Sequence, residues 1–132
     1  MNNGFKSPLL LMAFIFIESS IPSGDGSGGV NFLNRLDPGL QNFLHVPLYG
    51  LLSFLWMNGF VKKGMKTVAA VSLAFLIAVL YGCFDEFYQV YVPGRYGGVT
   101  DICLDTTGAA AGVVVYLTVL RIQSKRWRGG HP

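Results

Sequence analysis

Apolar positions along this chain do not alternate, and they do not form one stripe at helical spacing. They gather in four blocks, at residues 5–21, 43–61, 67–88 and 102–120. A helix that crosses a bilayer needs about 20 mostly apolar residues, with a range of roughly 17–25. Each block fits that range and predicts one transmembrane helix. The intervening sequence breaks helices. Residues 22–29 read Pro-Ser-Gly-Asp-Gly-Ser-Gly-Gly, where proline lacks a donor and glycine carries a backbone-entropy cost. Asn58, Gly59, Lys62, Lys63 and Gly64 close the second block, and Pro93, Gly94, Gly97 and Gly98 separate the third from the fourth. The first block, preceded by Lys6, also has the look of a secretory leader with a cleavage point near Ser20 or Ser23. With three more apolar blocks behind it, its expected role is a retained anchor.

Composition agrees with a lipid setting. A length of 132 residues gives a single domain over residues 1–132. Charged residues make up 13%, against about 25% in an average globular protein. Hydrophobic residues make up 52% and the mean hydropathy is +0.46. A water-soluble fold would lack the polar surface to cover so much apolar side chain, whereas a bilayer removes the need. The expected fold is all-α: a four-helix transmembrane bundle in the cell membrane, multi-pass, with the lipid bilayer as its first partner. The net charge of +3 does not signal nucleic acid, because no basic run is interleaved with aromatics.

Charge position is more informative than the sum. Lys6 precedes the first block; Lys62, Lys63 and Lys66 lie between the second and third; Arg121, Lys125, Arg126 and Arg128 follow the fourth. Basic short loops stay in the cytoplasm, so both termini are expected inside. Glu18, Asp25, Asp37, Asp85, Glu86, Asp101 and Asp105 then fall at the outer ends, with Arg35, Arg95 and His45. The tail around Trp127 reads as an anchor for anionic headgroups. The segment from residue 22 to 41 is an outer loop in which residues 30–33 are placed on the surface.

The outer ends carry the candidate chemistry. Asp85 and Gln89 are four residues apart and share a helix face, while Glu86 is turned by about 100°. Ionisable groups inside apolar helices usually face a cavity or a partner. The Pro93-Gly94 turn is expected to fold Arg95 back toward these carboxylates. In the fourth helix Asp101, Asp105, Gly108 and Gly112 share one face. Gly108 and Gly112 have the small-x-x-x-small spacing of closely packed helices. Asp101 is equally a helix cap, and Glu18 reads first as a carboxylate reaching the interface. His45 opens the second helix with Tyr49 one turn below. A lone histidine is commonly a hydrogen-bonded structural residue, but this one lies at the depth of the carboxylates. No metal or cofactor is predicted, because paired-histidine spacing is missing and His131 lies in the opposite tail. Cys83 and Cys103 lie near the outer ends of the third and fourth helices and are expected as free thiols.

The run Asp85-Glu86-x-x-Gln89-x-x-x-Pro93-Gly94-Arg95, followed by Asp101, Gly108 and Gly112, resembles the VanZ-like membrane proteins, as does His45-x-x-x-Tyr49. The similarity runs from the second helix to the fourth. Two positions depart from the family pattern: Asn42 stands where a lysine is usual, and Asp105 where an asparagine is usual. The resemblance implies a small protein of the bacterial inner membrane, related to cell-envelope functions and to reduced glycopeptide susceptibility in founding members. It assigns no reaction, and it does not carry antibiotic resistance over to this chain.

Two functions compete, and a cation or cofactor held by the carboxylates with His45 is a third, less favoured reading. In one, the outward site acts on or binds a lipid-linked or cell-envelope molecule: His45 and Glu86 exchange a proton, Asp85 orients it, and Arg95 holds an anionic group. Asp101 completes the set, with Tyr49, Gln89, Asp105 and Glu18 in support. In the other, the chain is a small subunit of a larger membrane protein complex. Gly108, Gly112, Ala109, Ala110, Ala111, Phe54, Trp56 and Phe75 then make the contacts, and the polar cluster is an internal lock.

Overall fold

The computed structural model describes residues 3–22 and 38–129. After a 3-10 turn at Asn3–Phe5, four helices follow: α1 (Lys6–Ser19), α2 (Pro38–Lys62), α3 (Thr67–Gln89) and α4 (Val99–Gly129). The described residues contain no strand, so the fold is an all-α bundle. Asp25, Arg35, Asp37, residues 30–33 and His131 lie outside the described residues.

Among the described residues, three helices are long and apolar enough to cross a membrane: residues Phe43–Lys62 of α2, all of α3, and Val99–Trp127 of α4. This is a multi-pass membrane protein. The expected first span is shorter than its apolar block. α1 has 14 residues, about 21 Å of helix at 1.5 Å per residue, against a hydrocarbon thickness of about 30 Å. Its end has a local cause. The Ser20 hydroxyl donates to the Phe16 carbonyl at 2.6 Å, and Pro22 disfavours helical backbone at the residue before it. The other helices match or overrun their blocks. α3 stops one residue beyond the expected 67–88. α2 begins at Pro38, so His45 lies well inside it instead of opening it. α4 runs on to Gly129, because Arg, Gln and Lys in its last turns are good helix formers that water can solvate.

The core has two layers. Near the basic end, Met57, Ala70, Ala74, Val113 and Tyr116 are buried against Phe54, Phe60 and Leu120. Nearer the acidic end, Ile15, Tyr49, Leu52, Ala78 and Ala109 are buried against Trp56, Phe75 and Tyr81. Small residues on α3 and α4 let helix backbones approach. A Cβ at Gly108 would collide with the Val46 carbonyl, and one at Gly112 with the Gly50 carbonyl and the Ser53 hydroxyl. The glycines therefore pack within the chain, against α2. Ser53 completes the seam by donating to the Ala109 carbonyl at 2.8 Å.

Large apolar side chains face outward on every helix, among them Leu10, Leu80, Phe87 and Val114. Lipid would cover this belt. At one end of the bundle the start of α1, the α2–α3 turn and the close of α4 bring basic residues together, and Lys63 Nζ stands 5.8 Å from the Phe5 ring centroid. The opposite end holds the buried carboxylates.

Candidate functional site

α3 divides its adjacent acids between two neighbours. Asp85 points to α1, where its Oδ2 accepts from Ser19 Oγ at 2.8 Å and from Gln89 Nε2 at 3.1 Å. Gln89 Nε2 also donates to Ser19 Oγ at 3.3 Å, closing a three-membered network. Glu86, one helical step on, points to the loop before α4 and to α2. Its Oε2 accepts from the Gly98 amide at 3.0 Å, and its Oε1 lies 3.9 Å from His45 Nδ1. The loop can come this close only because residue 97 is glycine, where a Cβ would strike the Glu86 carbonyl.

His45 meets α4 as well. Its Nδ1 lies 2.9 Å from Asp105 Oδ1. The ring is near-parallel to that of Tyr49, at 13° and 6.1 Å between centroids. Asp105 is held against α3 by the absence of a side chain at Gly82, where a Cβ would lie 2.8 Å from Asp105 Oδ2. Asp101 falls in the first turn of α4, where a negative charge favours the helix dipole, and one of its oxygens is buried without a hydrogen bond.

Burial is severe. Asp85, Glu86, Asp101 and Asp105 are between 0 and 8% exposed. Asp85 Oδ1, Glu86 Oε1, Asp101 Oδ1, Asp105 Oδ2 and the Tyr49 hydroxyl have no hydrogen-bond partner. Among the described residues, no lysine or arginine makes an ion pair with any of these acids; His45 is the sole basic partner.

Arg95 turns back to the cavity that Asp85 also lines, but it makes no ion pair with that carboxylate. Its Nε donates to the Ile21 carbonyl at 3.2 Å and its Nη2 to the Glu18 carbonyl at 2.8 Å. Both carbonyls lie at the C-terminal end of α1, whose dipole attracts a cation. Arg95 thus clamps α1 to the α3–α4 loop. Tyr81 makes a second clamp, its hydroxyl donating to the Met12 carbonyl at 2.6 Å.

Between α1 and α2, with α3 behind, lies a cavity of about 390 Å³. Phe14, Ile15, Leu44, Leu48 and Leu51 supply apolar wall, while Glu18, Ser19, His45, Asp85, Gln89 and Arg95 gather as its polar lining. Small-molecule sites commonly measure about 300–1,000 Å³ and are mostly apolar with a few placed polar groups.

The model of the VanZ/LLP1 family matches residues 7–121. The chain belongs to the VanZ/LLP1 family. Neither a curated protein nor a solved structure matches it. In this VanZ/LLP1 chain His45, Asp85, Glu86, Asp101 and Asp105 gather at one end of the bundle, with Tyr49 and Gln89 beside them, while Arg95 and Glu18 reach the same cavity. Asp105, ranked by the sequence as supporting, is the group in hydrogen-bond contact with His45. Ser19 and the Gly98 amide carry no sequence signal that would have marked them. One is an ordinary helix-end serine, and the other acts through its backbone. The sequence predicts no metal because its two histidines are not paired, yet the fold brings one histidine to two acids from different helices.

The features assigned to a partner surface are occupied inside the chain. Gly108, Gly112 and Ala109 are buried, while Phe54, Trp56 and Phe75 pack on the core clusters. Ala110 and Ala111 remain exposed. Both cysteines are free, Cys103 exposed and Cys83 half-buried.

Proposed function

We propose that this VanZ/LLP1 protein binds an amphiphilic, lipid-linked molecule of the cell envelope in the cavity between α1 and α2. The observation that supports this is the cavity's two-part lining. An acyl or isoprenoid chain fits against Phe14, Ile15, Leu44, Leu48 and Leu51. A polar head fits at His45, Asp85, Gln89 and Arg95, where both donors and acceptors are available. Phosphate and hydroxyl groups suit such a mixed end. With the basic end of the bundle in the cytoplasm, as its lysines and arginines favour, the polar head lies at the outer face.

The test uses purified protein in detergent with a polyprenyl phosphate as probe and a neutral diacylglycerol as control, read by native mass spectrometry. Wild type is expected to retain the phosphate-bearing probe preferentially. Leu48→Trp, which fills the apolar part, and His45→Ala, which removes a head contact, are each expected to weaken retention at least tenfold. Equal retention by wild type and both variants would overturn the reading.

A further inference from the structure

We infer that His45, Glu86 and Asp105 form a binding site for one divalent transition-metal ion of the zinc or manganese class. The inference stands on the geometry of these three side chains and does not rest on what occupies the cavity.

The distances come first. One ligand atom from each residue lies within 4.8 Å of the other two. Nδ1 of His45 is 2.9 Å from Asp105 Oδ1 and 3.9 Å from Glu86 Oε1. Metal–nitrogen and metal–oxygen bonds of about 2.0–2.2 Å put neighbouring donor atoms about 3.0–3.5 Å apart. An ion between the three groups therefore needs donor atoms at most 4.8 Å apart to close by about 1–2 Å, a shift of side chains and not of helices. Each ligand comes from a different helix, so the constellation exists only in the folded bundle.

The unpartnered oxygens are a second, independent observation. Glu86 is 3% exposed and Asp105 1% exposed, yet Glu86 Oε1 and Asp105 Oδ2 accept no hydrogen bond. Glu86 Oε1 is aimed at His45 Nδ1, across the space an ion would take. The other Glu86 oxygen is fixed by the Gly98 amide, as the non-ligating oxygen of a carboxylate ligand often is. Buried ionised groups require an opposite charge or a proton. Asp101 and Asp85 add negative charge around the triad and no lysine or arginine pairs with Glu86 or Asp105 among the described residues, a balance that a dication would restore.

The donor set selects the class. One imidazole nitrogen with two carboxylate oxygens suits zinc, manganese or ferrous ion, whereas calcium and magnesium favour all-oxygen shells. Three protein ligands leave at least one position open, and His45 lines the cavity, which provides an entry path.

The test takes the full chain in detergent, stripped with chelator and titrated with zinc chloride or manganese chloride. Calorimetry on wild type is expected to show one saturable ion per chain, and thermal unfolding a raised midpoint. Glu86→Gln and Asp105→Asn are close in shape and remove charge only; each is expected to weaken binding at least tenfold and to abolish the thermal shift. Ser72→Ala, at an exposed position near the start of α3 and outside the site, is expected to bind as wild type. On wild type itself, the ion should protect His45 from diethyl pyrocarbonate. No saturable binding by wild type, affinity kept within twofold in both triad variants, or unprotected His45 in the loaded protein would each overturn the assignment.

Discussion

The seam between α2 and α4 and the acidic end of the same bundle are built on opposite terms. Along the seam, glycines remove side chains so that backbones meet, and the buried Ser53 hydroxyl is satisfied by the Gly50 and Ala109 carbonyls. At the acidic end, four carboxylates are buried and each keeps one oxygen without a hydrogen bond. Close packing with satisfied groups stabilises a fold, while unpaired buried charge opposes it. Where local rules of stability are broken inside a well-made scaffold, function is the usual reason. The seam follows the rules that hold a bundle together, and the acidic end departs from them.

Substitution at the seam should have the largest effect on stability. Gly112→Val would drive side-chain carbons into the Gly50 carbonyl and the Ser53 hydroxyl. Backbone on both sides cannot yield without separating α2 from α4. A loss of about 3 kcal/mol or more is expected, at the upper end for overpacked sites. Unfolding in detergent titrated with sodium dodecyl sulfate would measure it. A valine variant as stable as wild type would mean that the helices are not in close contact there, and the contrast between the two regions would collapse.

The clamp on α1 comes next. Arg95→Ala removes two hydrogen bonds from a guanidinium to the Ile21 and Glu18 carbonyls. A loss of about 2 kcal/mol is expected, since charged hydrogen bonds contribute about 1.5–3 kcal/mol each when buried and these are part-buried. Arg95→Lys should recover only part of it, because one ammonium cannot reproduce the planar fork. Hydrogen exchange should show the added opening confined to α1. Ser19→Ala is a smaller lesion of the same boundary. It deprives Asp85 of one of its two donors, and about 1 kcal/mol is expected by the same unfolding measurement.

How far these features were legible in the sequence depends on their physical origin. The bounds of α3 were readable to within a residue, since a long apolar block ends in lysine and glycine on one side and the Pro93-Gly94 turn on the other. The grouping of His45 with the acids was also readable, because charge within apolar blocks is costly enough to be placed at one depth. The pairings were not. Arg95 has acids close in sequence, but it meets helix-end carbonyls that only the docking of α1 provides. Glu86 takes its donor from a loop backbone, which every sequence possesses, and Asp105 reaches His45 through the α2–α4 approach. The shortness of α1 was hidden for a related reason: hydropathy extends to Ile21, but the Ser20 hydroxyl and Pro22 end the helix before it.

The smallest expected effect is the most discriminating. In the metal-stripped protein, Glu86→Gln keeps an oxygen for the Gly98 amide and replaces the unpartnered oxygen with an uncharged amide of nearly the same volume. Truncating one member of a satisfied buried pair is strongly destabilising, whereas removing an uncompensated charge is neutral or stabilising. Stability is therefore expected to stay unchanged or to rise by up to about 1 kcal/mol, a sign opposite to that of every substitution at the seam or the clamps. A loss of about 2 kcal/mol or more, measured by the same detergent unfolding, would make Glu86 a structural ion-pair partner of His45. The acidic end would then belong with the seam as support, and the division of labour in this bundle would be lost.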